Sequence, residues 1–257
     1  MDNKIKSKIQ QNKRVVGTFF GLGSDVAVEC LGNTGLDYIV IDAEHSPFDF
    51  ESVARFVRTA DSVGLTPLVR IPEITRSYVL RMLDVGAKGL IIPFVESVEQ
   101  VKEIVQYAKY PPTGCRGYCA CRNNGWGYPD FANPIEKYFS LSNAESLVIT
   151  QCETVDGLEH IEEIAAMDGV DGIFLGMFDL SISMGKPLQF EDPELIAAKK
   201  RVLSACKAVN KPAIIIVGSI EAANDAFEQG FNAIAYSMDV LVFTEMYRNI
   251  VSKITEQ

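Results

Sequence analysis

YIVIDAEHSP, residues 38–47, is the stretch whose reading decides the fold. It opens as an unbroken apolar run with three β-branched residues, Ile39, Val40 and Ile41. A run of that kind, with no polar alternation, reads as a strand buried on both faces, as in a parallel sheet covered by helices. The run then stops abruptly, and Asp42, Glu44 and His45 follow within four positions. Two carboxylates and an imidazole at the carboxyl end of a buried strand are not core material. In parallel α/β folds that end of the strand is where chemistry collects.

Working outward, the same unit recurs as a weak internal repeat: GLDYIVID (35–42), GAKGLIIP (86–93), GVDGIFLG (169–176) and GFNAIAYS (230–237). Each sets a glycine where a helix should end, then turn residues, then a short apolar strand; glycine suits the left-handed backbone of a helix C-terminus. Between these units lie further strands at Val15–Phe20, Thr66–Arg70, Ser146–Cys152 and Ala213–Val217. Helical spacing of apolar residues at Phe50, Val53, Phe56 and Val57 predicts a helix over 50–63, stopped by Gly64. Ser97 and Gln100 form a capping box that opens a helix to Lys109, and Asp192-Pro193 marks another start. Further helices are expected at 75–85, 155–167, 220–229 and 240–254. The count is eight strands, each followed by a helix, which predicts a single-domain TIM (β/α)8 barrel over residues 1–257. A doubly wound open sheet is the alternative, but no G-x-G-x-x-G follows the first strand. The alternation breaks only between Tyr110 and Asn143, a Gly-, Pro- and aromatic-rich excursion expected to be folded and to shape substrate choice.

Bulk properties narrow the partners. A net charge of −10 disfavours nucleic acid and anionic membrane surfaces. No apolar run approaches a membrane span, and the N-terminal MDNKIKSKIQQNKRVV lacks the apolar core of a secretion signal, so a cytoplasmic enzyme is expected. Of six cysteines, Cys30, Cys152 and Cys206 read as small core residues. Cys115, Cys119 and Cys121 form a C-x3-C-x-C cluster without the partner pair that a zinc site requires.

The residues expected on the carboxyl rim suggest the chemistry. Asp42, Glu44 and His45 follow the second strand, Arg70 the third, Gln151 and Glu153 the fifth, and Asp179 the sixth. Two acids from different strands, Glu153 and Asp179, suit a hard divalent cation such as Mg²⁺ or Mn²⁺, which takes one or two carboxylates and completes its octahedron with water and substrate oxygens. Arg70, closing an apolar strand, is suited to bind a carboxylate or an enolate oxygen. His45 is the candidate general base. Asp84 ends a helix, against the helix dipole, which points to a cationic partner such as His45. No lysine falls inside the strands, so a Schiff-base mechanism is disfavoured.

In DYIVIDAEHSPFD, PLVRIPE, RMLDVGAKGLIIPFVES, YPPTGCRGY, ITQCET and GVDGIFLGMFDLS, taken in this order, the chain resembles the HpcH/HpaI aldolases, metal-dependent pyruvate aldolases of the phosphoenolpyruvate/pyruvate barrel superfamily. The resemblance implies His45 as proton acceptor, Asp84 as the acid that raises its basicity, and Arg70 as transition-state stabiliser. It implies Glu153 and Asp179 as metal ligands (Mg²⁺ or Mn²⁺, with Co²⁺ a further candidate), and Gln151 with the backbone at Phe178 as substrate contacts. It also implies a homo-oligomer, hexameric, whose final helix near Val240 packs on a neighbour. The reaction implied is reversible cleavage of a 4-hydroxy-2-oxo acid to pyruvate and an aldehyde. The chain departs from the family at Gly176-Met177, where Gly-Pro is usual. A citrate synthase-like or acyl-CoA lyase-like reaction keeps the enolate and changes the acceptor. It would need a basic pocket, for which Arg116, Arg122 and Lys186 are the candidates.

Overall fold

The computed structural model describes residues 3–255 and contains eight strands that close into one barrel in sequential order. The strands are β1 Val15–Phe20, β2 Tyr38–Asp42, β3 Thr66–Arg70, β4 Gly89–Ile92, β5 Leu147–Cys152, β6 Gly172–Leu175, β7 Ala213–Val217 and β8 Ala233–Met238. Every neighbouring pair is parallel, including β8 with β1. Helix α1 (Lys4–Gln10) precedes the barrel, and α2 (Asp25–Gly32), α3 (Phe50–Val63), α4 (Arg76–Asp84) and α5 (Val98–Ala108) connect its first half. α6 (Ile135–Glu145), α7 (Val155–Glu159), α8 (Ile161–Ala166), α9 (Met177–Ser183), α10 (Pro193–Ala208), α11 (Ile220–Gln229) and α12 (Asp239–Thr255) complete the set. Among the described residues no helix is long and apolar enough to cross a membrane.

Period-2 alternation sorts each strand into two cores. Val15, Phe19, Tyr38, Val40, Leu68, Ile91, Leu147, Ile149, Phe174 and Ile214 point inward and fill the barrel. Ile39, Ile41, Val69, Leu90, Ile92, Val148, Ile173 and Ile215 point outward to the helices. Gly17 is required by the first of these layers: a Cβ there would stand 2.5 Å from the Tyr38 ring. Ile5 of α1 packs on the inward core at the N-terminal ends of the strands. The same parity carries upward. Asp42 continues the inward row of Tyr38 and Val40, Arg70 that of Leu68, and Gln151 and Glu153 that of Leu147 and Ile149. Hydrophobic register thus aims the polar groups into the barrel mouth.

Most element boundaries match the sequence reading to within a residue or two. The helix expected over 155–167 is split at His160 into α7 and α8. Two helices had no sequence expectation, α6, which starts within the 110–143 excursion and runs on to Glu145, and α9 directly after β6. The excursion is folded, as expected, but on the other end of the barrel. Helices return antiparallel to the strands, so α5 ends at the N-terminal face, and Lys109 binds Ser146 O and Asp171 at the starts of β5 and β6. Arg122 of the same segment pairs with Asp61, near the end of α3. Within one chain the excursion therefore lies away from the mouth where Asp42 and Arg70 lie.

Candidate active site at the carboxyl rim

Asp42 is the anchor of the rim. It is fully buried, and its carboxylate accepts from Arg70 Nε at 2.8 Å and Nη2 at 2.7 Å, a two-toothed pairing. Its Oδ1 also accepts from the backbone N–H groups of Glu44 (3.2 Å) and His45 (3.4 Å). One carboxylate therefore orients the guanidinium and pins the loop that carries the imidazole. Glu44 Oε2 approaches Arg70 Nε at 3.2 Å and His45 Nε2 at 3.7 Å. Burial alone would lower the Arg70 pKa, but Asp42 and Glu44 outweigh it and hold the group charged. Burial raises the Glu44 carboxyl, and Arg70 and His45 pull against that rise. The guanidinium also lies 4.8 Å over the Phe19 ring. The His45 side chain is 65% exposed, open to a substrate entering the mouth.

On the facing strands, Glu153 is buried and pushed up to about 7, first by burial and then by the neighbouring charges of Asp179 and Glu44. The N–H of Phe94 donates to Glu153 Oε1 at 2.6 Å and works against that rise. Phe94 holds this donor in place from a left-handed backbone, φ 53°, uncommon for a residue with a side chain. Gln151 Nε2 donates to Glu153 Oε2, and Gln151 Oε1, although buried, has no partner among the described residues. Gly176 closes the cradle: a Cβ there would stand 2.8 Å from Glu153 Oε2 and 3.0 Å from Gln151 Nε2. Asp179 is exposed in the first turn of α9. Met177, where the sequence departs from Gly-Pro, occupies the first helical position with its side chain in the core, so α9 starts there without the proline.

A carboxyl raised by burial and by a second acid, with an orphaned amide oxygen beside it and, among the described residues, no lysine or arginine paired to it, has the donor chemistry of a divalent-cation site. Hard oxygen donors, with no cysteine or paired histidines among them, suit Mg²⁺ or Mn²⁺. Among the described residues no three His, Cys, Asp or Glu cluster as a complete protein-supplied site. Glu153 and Asp179 would leave the remaining positions to water and substrate.

Asp42, Glu44, His45, Arg70, Gln151, Glu153, Phe178 and Asp179 all follow or end strands on the carboxyl rim, as the sequence reading expects. Asp84 does not. It ends α4, an antiparallel return helix, and so lies at the N-terminal face, where it pairs with Arg116 Nη2 at 2.7 Å. A contact between Asp84 and His45 within one chain is thereby corrected. Each cation considered for a basic pocket is engaged in an ion pair: Arg116 with Asp84, Arg122 with Asp61, and Lys186 with Asp192 and Glu194. The backbone donor of Phe94 escaped the sequence reading because an N–H carries no residue signature. Gly176 was legible as a turn glycine, but not as a wall of the cradle.

Comparison with known proteins agrees with this architecture. The family model described as HpcH/HpaI aldolase/citrate lyase matches residues 16–245. A hydroxypyruvate/pyruvate aldolase from Roseobacter denitrificans is 32% identical over 98% of this chain and 96% of its own. A 5-keto-4-deoxy-D-glucarate aldolase from an Enterobacter species (strain 638) is 33% identical over 94% and 92%. Among solved structures, an HpcH/HpaI aldolase/citrate lyase family protein from Burkholderia cenocepacia J2315 superposes with a TM-score of 0.91 at 31% identity, covering 98% of this chain and 99% of that one. With its closed eight-stranded barrel and this extent of similarity, the chain belongs to the HpcH/HpaI aldolase/citrate lyase family and is an aldolase, a carbon–carbon lyase.

Proposed function

We propose that the rim cleaves a 4-hydroxy-2-oxo acid reversibly to pyruvate and an aldehyde, with Glu153 and Asp179 holding a divalent cation. The observation that carries this reading is the buried Glu153 carboxyl, raised by burial and further by Asp179, and set across the barrel mouth from a charged, doubly anchored Arg70. When bound, the cation supplies Lewis-acid polarisation of the 2-oxo group. Arg70 faces the oxygen on which negative charge develops as the C3–C4 bond breaks, so its fixed charge is worth most in the transition state. His45 accepts the C4 hydroxyl proton as the carbonyl of the aldehyde forms, and the electron pair of the broken bond passes into the pyruvate enolate. The proton held on His45 then passes to C3, directly or through water, which gives pyruvate and returns the imidazole to its neutral form. Gln151, whose Oε1 has no partner among the described residues, and the first-turn N–H groups of α9 at Phe178 and Asp179, which lack acceptors within the helix, orient the substrate.

The assay is pyruvate release from a 4-hydroxy-2-oxo acid after exhaustive EDTA treatment and dialysis. The expected outcome is loss of activity, restored by Mg²⁺ or Mn²⁺. Full turnover in the chelated enzyme would refute the proposal. Turnover only with an acyl-CoA or oxaloacetate would transfer the site to the citrate-type reaction.

The reading includes a homo-oligomer. α12 leaves Leu241, Phe243, Met246, Tyr247, Val251 and Ile254 at least half exposed, a contiguous apolar face unusual for a free surface. Beside it, an apolar cleft of about 730 Å³ opens between α2 and α11, lined by Leu31, Ala223, Phe227 and Phe243 among others. Since Asp84 lies on the face opposite its own His45, it serves the imidazole of a second copy. Mixing His45→Ala and Asp84→Asn subunits during co-refolding tests this. Hybrid oligomers are expected to exceed the summed activity of the two parents, because some sites then combine an intact His45 with an intact Asp84. Activity no greater than the sum would place both residues in the service of one chain.

A further inference from the structure

Asp84 stands on an elaborate support. After α5 the chain folds back on that helix's own C-terminus. Gly114 seats against its last carbonyls, where a Cβ would lie 2.4 Å from Lys109 O and 2.6 Å from Val105 O. The N–H groups of Cys115 and Arg116 donate to Gln106 O and Lys109 O, each at 2.9 Å. This fold-back delivers the Arg116 side chain, with no exposed surface, beneath the end of α4. Its guanidinium lies 4.9 Å over the Tyr110 ring, itself stacked on Phe139 at 4.2 Å and bordered edge-on by Tyr138.

Of the guanidinium's polar atoms, Nη2 reaches Asp84 Oδ1 at 2.7 Å, while Nε and Nη1 have no hydrogen-bond partner among the described residues. Burying an arginine this way is expensive, and well-packed apolar side chains would stabilise such a loop better. What the arginine provides is direction. Asp84, the last residue of α4, opposes the helix dipole, and Arg116 is its only ion-pair partner among the described residues. Tyr110 and Cys121 also lie within its electrostatic reach, and the nearby cation Arg122, whose Nη1 would stand 3.1 Å from a Cβ at Gly86, is paired with Asp61 instead. Nη2 engages one carboxylate oxygen, and the other receives no hydrogen bond from the described residues.

We propose that Arg116 is a positioning residue for the aldol reaction: it locks Asp84 so that its free oxygen meets His45 of a second copy. This rests on the reading of Asp84 given above. A carboxylate held beside an imidazole favours its protonated form and raises its basicity. Losing the alignment should therefore move the acidic limb of the kcat–pH profile to lower pH and lower its plateau. Removing the positive charge of Arg116 would by itself push the limb the other way, so the direction of the shift is diagnostic.

The test compares kcat, KM, pH profile and melting temperature for wild type, Arg116→Met, Arg116→Lys and Asp84→Asn in the metal-loaded oligomer. Asp84→Asn is expected to lower kcat and move the acidic limb downward. Arg116→Met is expected to follow it in direction, with kcat down about tenfold, the scale of losing a group that orients another, and KM unchanged. If Arg116→Met does not fold, Arg116→Lys, which keeps the charge without the planar fork, decides by the same shift. A lower melting temperature with wild-type kcat and pH profile in the folded Arg116 variant would overturn the proposal. An unchanged profile in Asp84→Asn would overturn both it and the reading beneath it.

Discussion

Arg70→Ala is expected to lower kcat for pyruvate release by about 10³-fold, the scale measured when one preorganised charge-stabilising donor is deleted, with metal affinity retained. The size follows from where the guanidinium is held. It is 8% exposed, gripped at two nitrogens by Asp42 and a third time by Glu44, so it does not reorganise as charge develops. Because that charge exists only in the transition state, the loss should fall on kcat, with KM little altered. The substitution also strands Asp42, fully buried, without its counter-ion. A fall of a few kcal/mol in stability is expected on that account. Arg70→Lys separates the two effects. It keeps a counter-charge for Asp42 but loses the fork, so stability should largely return while kcat remains far below wild type. Near-normal turnover in Arg70→Ala would remove Arg70 from the chemistry.

Glu153→Gln is expected to abolish cation binding and, with it, activity, by a comparable or larger factor than Arg70→Ala. The two side chains are nearly isosteric, and an amide in this position still accepts from the Phe94 N–H, so the fold should persist. Stability should respond to pH in an informative direction. Glu153 is raised to about 7, so in the metal-free protein its protonated form fits the site and its ionised form is penalised by burial and by Asp179. The stability linked to that proton is fully present below the ordinary carboxylate range and is lost as pH rises through about 7. Metal-free wild type should therefore lose melting temperature between pH 6 and pH 8 by more than Glu153→Gln does. Adding Mn²⁺ should restore it in wild type alone, because a ligand bound only by the native state stabilises it. Equal shifts in both proteins would exclude Glu153 as a ligand.

Much of this was legible in the amino-acid order, for a physical reason. Residues at the ends of inward-facing strand rows inherit their direction from the hydrophobic period, so Asp42, Arg70, Gln151 and Glu153 are placed by the same alternation that packs Val40, Leu68 and Ile149. The barrel itself follows from the repeated glycine-turn-strand units. Contacts made by backbone atoms were not legible: nothing in Pro93-Phe94-Val95 announces that one N–H will cap Glu153 from a left-handed conformation. Asp84 was misplaced because its charge was read without its polarity. The end of a return helix always lies at the strand-start face, and that rule assigns Asp84 and the 110–143 segment to the far side of their own barrel. α9 was missed because it begins without a side-chain cap and spans only Met177–Ser183.

The central claim is that acids from two separate strands share one cation where a 2-oxo acid loses its aldehyde. Anomalous diffraction from crystals soaked in Mn²⁺ and pyruvate measures this directly. The account predicts a single strong peak within direct coordination distance, about 2.0–2.2 Å, of both Glu153 and Asp179, with pyruvate oxygens on the same ion and Arg70 facing the 2-oxo group. Manganese bound elsewhere, or to only one of the two carboxylates with pyruvate apart from it, would contradict it.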